Sequence, residues 1–303
     1  MKLVIKNLSK TYPNGVQALK NVDLTIEEGM FGLLGPNGAG KSTLMRIIAT
    51  LQEADEGSSV TLGDIDVLHQ KGEVRKMLGY LPQEFGVYPK MEAEALLSHL
   101  AALKGITDKS ERKQLVSALL QKTNLWSSRK RKLESFSGGM KQRFGIAQAL
   151  IGNPRILIVD EPTAGLDPTE RSRFLNLLSE VGEKTVVILS THIVEDVKEL
   201  CNSMAIIYDG RLLYKGDPYN ALNDIQGKVW KKRVNKAELA EHKKNYEVLS
   251  VRLAGGVPEI HVLSKTDLNH SFERIQAALE DVYFAHILEA ERRANEIEVA
   301  SRT

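Results

Sequence analysis

Cysteine is nearly absent. Cys201 stands alone in 303 residues, so no disulfide can close within the chain. That suits a reducing compartment. An excess of either charge is also lacking, with 41 Lys and Arg against 39 Asp and Glu, which argues against bulk nucleic-acid binding. No apolar run approaches the ~20 residues that span a bilayer, and "MKLVIKNLSKTYPNG" has no apolar signal core. If the chain serves a membrane process, another chain must cross the membrane. There is no internal repeat and no sustained heptad pattern. What remains is ordinary for a soluble globular protein, at 42% hydrophobic and 26% charged residues.

The chain does hold a crowded glycine turn. "GPNGAGKST" runs from Gly35 to Thr43, after the apolar "MFGLL" and before "STLMRIIATL", whose Leu44, Ile47, Ile48 and Leu51 fall at helical spacing. Gly35, Gly40, Lys41 and Ser42 satisfy G-x-x-x-x-G-K-[ST] on a strand-to-helix turn. Glycines let backbone N–H groups converge on an anion, and the helix N-terminus adds partial positive charge. Lys41 would meet the β- and γ-phosphates of a nucleoside triphosphate, and the Ser42 hydroxyl could ligate Mg²⁺. Asn37, Gly38 and Thr43 complete the candidate cradle.

Around this turn the chain alternates strand and helix. "KLVIKNL" and "ALKNVDLTI" read as early strands joined by "TYPNG", "SSVTLGDIDV" as a strand region, and "MLGYLPQ" as a short strand. Residues 92–104, with Leu96, Leu97, Leu100 and Leu103 on one face, read as a helix, and so do 110–121. "ILIVDEP" and "TVVILS" are unbroken apolar runs, as buried parallel strands are. Residues 168–182 form an amphipathic helix through Phe174, Leu177, Leu178 and Val181. "MAIIYDGRLLYKG" reads as a hairpin turning at Asp209-Gly210. The pattern predicts an α/β fold with a mostly parallel sheet covered by helices.

After about residue 222 the composition changes. "GKVWKKRVNKAELAEHKKN" is polar and basic, "YEVLSVRLAGGVPEIHVLS" suggests two strands about a Gly-Gly turn, and "HSFERIQAALEDVYFAHILEAERRANEI" reads as one long helix. Its apolar face would run through Phe272, Ile275, Leu279 and Tyr283. The expected division is 1–225, with a helical subdomain at about 84–150, and a small α+β accessory domain at 226–303.

Two further stretches carry chemistry. "ILIVDEP" puts Asp160 and Glu161 at the end of a buried strand, costly unless they meet a cation or water. Asp160 can hold Mg²⁺. The next residue points across the pleat, so Glu161 can face an attacking water as general base. "ESFSGGMKQRFGIAQAL" sets Ser137-Gly138-Gly139 before a helix with Met140, Phe144, Ala147 and Ile151 on one face. This is a helix cap or a second anion site.

Over residues ~1–220 the sequence resembles the nucleotide-binding subunits of ABC transporters. The likeness rests on "GPNGAGKST", Gln83 in "LPQ", "FSGGM", "ILIVDEP", "AGLD" (164–167) and His192 in "STH", in that order. The signature departs from the family at Phe136, where Leu is usual, and at Met140, where Gln is usual. Ser137, Gly138 and Gly139 are intact. The resemblance implies a P-loop NTPase core with an antiparallel β subdomain and a helical signature subdomain. It implies that Gln83 senses Mg²⁺ and the attacking water near the docked membrane subunit, and that His192 bonds the γ-phosphate and orients Glu161. It further implies that Tyr12 stacks on adenine and that Asp167 joins two sites across a dimer.

In the family, Ser137 meets the nucleotide of the opposite subunit, so ATP is sandwiched between two copies. ATP hydrolysis would then drive a transporter, with membrane subunits on separate chains and the motor peripheral at the cytoplasmic face of the inner membrane. Within the family, "GYLPQEFGVYPKMEAEALL" and "LEDVYF" look like bacterial ABC-2-type export subunits. Phe85, Val87 and Tyr88 would form the docking groove. Two alternatives stand: a soluble ABC ATPase acting on ribosomes or DNA, against which the single phosphate loop and missing coiled coil argue, and an ATPase that signals to a membrane protein that transports nothing.

Overall fold

Alternation sends Leu3 and Ile5 to one face of "LVIKNLSKT", and Val22, Leu24 and Ile26 to one face of "QALKNVDLTI"; register shifts on either side of Leu8, with Asn7 and Asn21 both at φ 51°, bring Leu8 and Leu19 into the same core, and all seven are buried. They form β1 (Leu3–Thr11) and β2 (Gln17–Ile26), antiparallel with Leu3 opposite Ile26. The computed structural model describes residues 1–83, 86, 88–163 and 165–302, with side chains described through Glu296. β3 (Gly29–Leu34) leads through the glycine turn into α1 (Lys41–Ile48). β4 (Ser59–Leu62) pairs antiparallel with β1, and β5 (Ile65–Asp66) with β4, completing a sheet of order β2-β1-β4-β5.

The second sheet is the expected mostly parallel one. α2 (Lys71–Met77) buries only Val74, too little periodicity to be read in advance, and runs directly into β6 (Leu78–Leu81). A helical layer follows: α3 (Ala93–Leu103), α4 (Lys109–Lys122) and α5 (Gly138–Ala149). Then come β7 (Ile156–Asp160), α6 (Pro168–Gly182), β8 (Val186–Thr191), α7 (Val194–Leu200), β9 (Ser203–Tyr208) and β10 (Arg211–Gly216). The sheet order is β10-β9-β3-β8-β7-β6, parallel except for β10. Every residue of β7 and β8 is buried, which is why their sequences show no alternation. The β9–β10 hairpin turns at Asp209 (φ 45°) and Gly210 (φ 73°), as the Asp-Gly pair requires.

The two faces of this sheet feed two cores. Phe31 and Leu33 of β3 join α1 and the antiparallel sheet, whereas Met30 and Leu34 face α3–α7. Phe136, in place of the usual Leu, is buried and meets Phe144 edge-to-face at 6.5 Å, so the departure is absorbed by core packing. Two leucines depart from the predicted faces. α1 ends at Ile48, leaving Leu51 exposed, and Leu103, last in α3, is 71% exposed.

Residues beyond 217 form α8 (Pro218–Ile225), β11 (Val229–Arg233), α9 (Leu239–Asn245), β12 (Glu247–Ala254), β13 (Val257–Leu263), β14 (Glu273–Arg274) and α10 (Leu279–Arg302). The strands make a separate antiparallel sheet, β12-β13-β11-β14. The predicted helix from about residue 270 is therefore corrected: 273–274 pair with β11, and the helix begins at Leu279. Phe272 packs in the small sheet's own core, while Leu279 and Val282 are buried in the larger core beside Val197. Each such burial contributes about 1.5–3 kcal/mol, so α10 is fastened to the body that carries the phosphate loop. On its other side, Phe284 and Leu288 meet Val229 and Leu249.

Candidate active site

The turn after β3 is shaped by backbone crowding. Gly40 caps α1 at φ 107°, and a Cβ there would lie 2.5 Å from the Ala18 carbonyl oxygen. A Cβ on Gly35 would lie 2.4 Å from the Ile207 carbonyl oxygen. Only glycine fits at either place. Lys41 is buried, and its Nζ donates to the carbonyls of Gly35 (2.6 Å) and Pro36 (3.2 Å). The ammonium thus sits inside the cradle, 3.8 Å from Glu161 Oε1. Burial pulls the Lys41 pKa down, and the charges of Glu161 and Asp160 pull it back up.

Asp160 ends β7. Burial pushes its carboxyl up; the Ser190 hydroxyl, donating at 2.5 Å to Oδ1, and Lys41 oppose this, while Glu161 adds to it. Pleat alternation would place Glu161 across the sheet from Asp160, but the strand has already ended. Glu161 adopts φ 46°, a left-handed conformation that costs a non-glycine residue about 1 kcal/mol or more. Its N–H donates to the Ser190 carbonyl (3.0 Å) and lies 3.2 Å from the Ser190 hydroxyl oxygen. This bend swings the Glu161 carboxylate over the glycine turn. Its Oε2 accepts from Gln83 Nε2 at 3.3 Å and lies 3.3 Å from His192 Nδ1. Lys41, Gln83, the adjacent Asp160 and Glu161, and His192 therefore converge from four separate segments of chain.

Other candidate residues lie elsewhere. The Tyr12 hydroxyl is 3.0 Å from Thr43 Oγ1 and donates to Gln52 Oε1 at 3.3 Å, which ties the ring to the start of α1. The hydrogen bond with Thr43 lowers the Tyr12 pKa. Ser137 caps α5, its hydroxyl accepting from the Met140 N–H at 3.2 Å, and Asp167 caps α6, accepting from the Glu170 N–H at 2.9 Å. Among the described residues, no hydrogen bond or ion pair joins Ser137, Gly138 or Gly139 to residues 35–43. Ser190, which holds both acidic residues in place, was missed from sequence. Its position at the end of a buried strand, two residues before His192, was the available signal.

The residues present fit a nucleotide with a divalent cation. The crowded cradle would accept phosphate oxygens and not side chains, and Asp160 is a buried carboxylate whose charge lacks full compensation. Among the described residues there is no cluster of three or more His, Cys, Asp or Glu able to hold a metal alone. One carboxylate with the Ser42 hydroxyl and substrate phosphates is the donor set Mg²⁺ takes.

The family model for the ABC transporter domain matches residues 19–164. The phosphonates import ATP-binding protein PhnC of Treponema denticola is 35% identical over 239 residues, covering 74% of this chain and 92% of that protein. The chain belongs to the ABC transporter ATP-binding proteins. A longer relative from Escherichia coli, named a probable multidrug ABC transporter ATP-binding protein, YbhF, is also 35% identical, over 75% of this chain but only 39% of its own length. Among solved structures, a dimeric post-hydrolysis state of the ATP-binding cassette MJ0796, bound to ADP and Pi, superposes with a TM-score of 0.64 at 30% identity. It covers 71% of this chain and 98% of that one. The fold is that of an ABC ATPase. The relatives include an importer as well as a multidrug protein, so the family alone does not assign a direction of transport. No described helix is long and apolar enough to cross a membrane.

Proposed function

We propose that this ABC ATPase hydrolyses MgATP in a sandwich of two copies and drives a transporter whose membrane subunits are separate chains. The observation that carries the reading is the convergence on Glu161, with Lys41 at 3.8 Å, Gln83 at 3.3 Å and His192 at 3.3 Å. Lys41 holds the β- and γ-phosphates from within the cradle. Mg²⁺, when bound, offsets phosphate charge, and Asp160, Ser42 and Gln83 would hold it. Glu161 takes the proton of the attacking water, and Gln83 and His192 fix the carboxylate's direction. Tyr12 offers a platform for the base. Ser137, Gly138 and Gly139 serve the nucleotide of the other copy, and Asp167 sits where the two copies meet; the dimeric relative supports this.

A groove of about 530 Å³ between α3, α5, β6 and the end of α1 is lined by Leu51, Tyr80, Leu100 and Leu103 among others. This apolar groove supports docking of a membrane subunit, and so, separately, does Tyr88, an aromatic ahead of α3 that is 64% exposed. Phe85 and Val87 lie outside the described residues. That docking would hold the motor at the cytoplasmic face of the inner membrane, and the likeness to a multidrug protein supports export. The test is phosphate release from ATP with Mg²⁺ and with EDTA. Release that needs Mg²⁺ and vanishes in Lys41→Ala supports the reading, and equal release from Lys41→Ala opposes it.

A further inference from the structure

Asp196 lies in the first turn of α7 and is fully buried. A buried carboxylate is costly unless its lone pairs are filled. Here Oδ2 has two hydrogen-bond donors, and Oδ1 has one together with an ion-pair contact. Oδ2 accepts from the Thr163 hydroxyl at 2.6 Å and the Thr191 hydroxyl at 3.4 Å. Oδ1 accepts from Arg171 Nε at 2.7 Å and faces Arg171 Nη2 at 2.5 Å. These partners come from three places: the segment after β7, the end of β8, and α6.

Two of the partners flank the active groups. Thr163 follows Glu161 by two residues, and Thr191 immediately precedes His192. The Thr191 hydroxyl oxygen also accepts from the Ile193 N–H at 2.9 Å, so it brackets His192 from both sides. The His192 ring is 54% exposed and cannot be held by packing. Its direction is set by the backbone on which it stands.

We infer that Asp196 is a positioning residue for hydrolysis: through Thr191 and Thr163 it fixes the spacing between His192 and Glu161. This rests on the proposed role of those two groups. Asp196 itself touches neither the phosphate cradle nor the reacting atoms.

The experiment compares Asp196→Asn, His192→Ala and the double variant for kcat, KM and ATP Kd in the full chain. Asparagine keeps an oxygen that can accept from Arg171 Nε and removes only the charge facing the buried Arg171 Nη2. Asp196→Asn is expected to lower kcat about 10- to 100-fold, as small misplacements near a reacting centre do, with ATP Kd moving less than about twofold. In the double variant the further loss beyond His192→Ala is expected to be under about twofold, because coupled residues are not additive. Thr163→Val, a smaller change, is expected to lower kcat several-fold with Kd unchanged, and it decides the matter if Asp196→Asn does not fold. A multiplicative loss in the double variant, a parallel loss of ATP binding, or wild-type kcat in Thr163→Val would overturn the inference. If His192→Ala and Glu161→Gln both hydrolyse ATP at the wild-type rate, the proposed site fails and the inference falls with it. If they are impaired and Asp196→Asn is not, the inference alone fails.

Discussion

The chain has two glycine turns that open helices, and they are built differently. The turn at 35–40 is enclosed at its base, with only Asn37 and Gly38 exposed at its tip: a Cβ on Gly35 or Gly40 would strike the carbonyls of Ile207 or Ala18, its lysine is buried, and the two acidic residues at 160–161 face it. The turn at 137–139 is open at its start: Ser137 and Gly138 are exposed, the Ser137 hydroxyl is turned back to its own helix, and only Gly139 is buried, against Glu170. An anion at the first would meet the full positive charge of buried Lys41, with a bound cation offsetting its repulsion by the two carboxylates. An anion at the second would gain from a helix N-terminus and a hydroxyl, worth less than about 1 kcal/mol when exposed. The second turn is therefore too weak to hold a nucleotide by itself, and strong enough to add to one already held. That asymmetry is what a site shared between two copies requires.

The largest effect should come from the base. Glu161→Gln is expected to slow phosphate release by about 10²–10⁴-fold, the span of general-base catalysis. ATP binding should persist, and the variant should accumulate as an ATP-bound dimer on size exclusion. A monomer hydrolysing at the wild-type rate would remove Glu161 from the role. Lys41→Ala deletes the buried charge, and loss of charge-assisted bonds of about 1.5–3 kcal/mol predicts ATP binding weaker by about 10- to 100-fold. Titration of the monomer with a fluorescent ATP analogue measures this.

Ser137→Ala sharpens the contrast between the turns. Monomer ATP binding should not change, whereas ATP-driven dimerisation should weaken, and loss of the cap should cost about 1 kcal/mol of stability. Equal loss of monomer binding in Ser137→Ala and Lys41→Ala would show both turns serving one nucleotide within one chain. The smallest effect belongs to Tyr12→Phe, which keeps the ring and removes the bond to Thr43. ATP affinity should fall by no more than about 1 kcal/mol, the worth of one neutral hydrogen bond. Tyr12→Ala should cost about 1–3 kcal/mol if the ring stacks on the base, and identical affinities for the two variants would deny the ring that role.

The enclosed turn was legible because its causes are local: glycine spacing, a preceding apolar run and a following helical period. β7 and β8 were legible because burial on both faces leaves unbroken apolar sequence. β11 was hidden by its own charges. Lys231 and Arg233 pair with Glu273 and Glu259, and Lys232 lies over the Phe272 ring, so a basic tract is a strand in the middle of a small sheet. The false start of α10 has a related cause. Phe272, Ile275 and Leu279 fall at helical spacing yet pack in different clusters, since the chain passes along a sheet edge first. Glu161's bend and Asp196's burial left no local mark, because apart from Thr191, five positions before Asp196, their partners lie about 25 to 120 positions away in the chain, the long-range kind that sequence periodicity does not carry.

The shared site is tested most directly by mixing two inactive variants. Lys41→Ala spoils the enclosed turn of its own chain, and Ser137→Arg blocks the open turn of its own. In a mixed dimer, one site receives both defects and the other receives neither. ATP hydrolysis by equal amounts of the two purified variants should therefore rise well above that of either alone, and it should rise more steeply than first order with protein concentration. A mixture as inactive as its separate components, in a protein shown to form mixed dimers, would contradict the account.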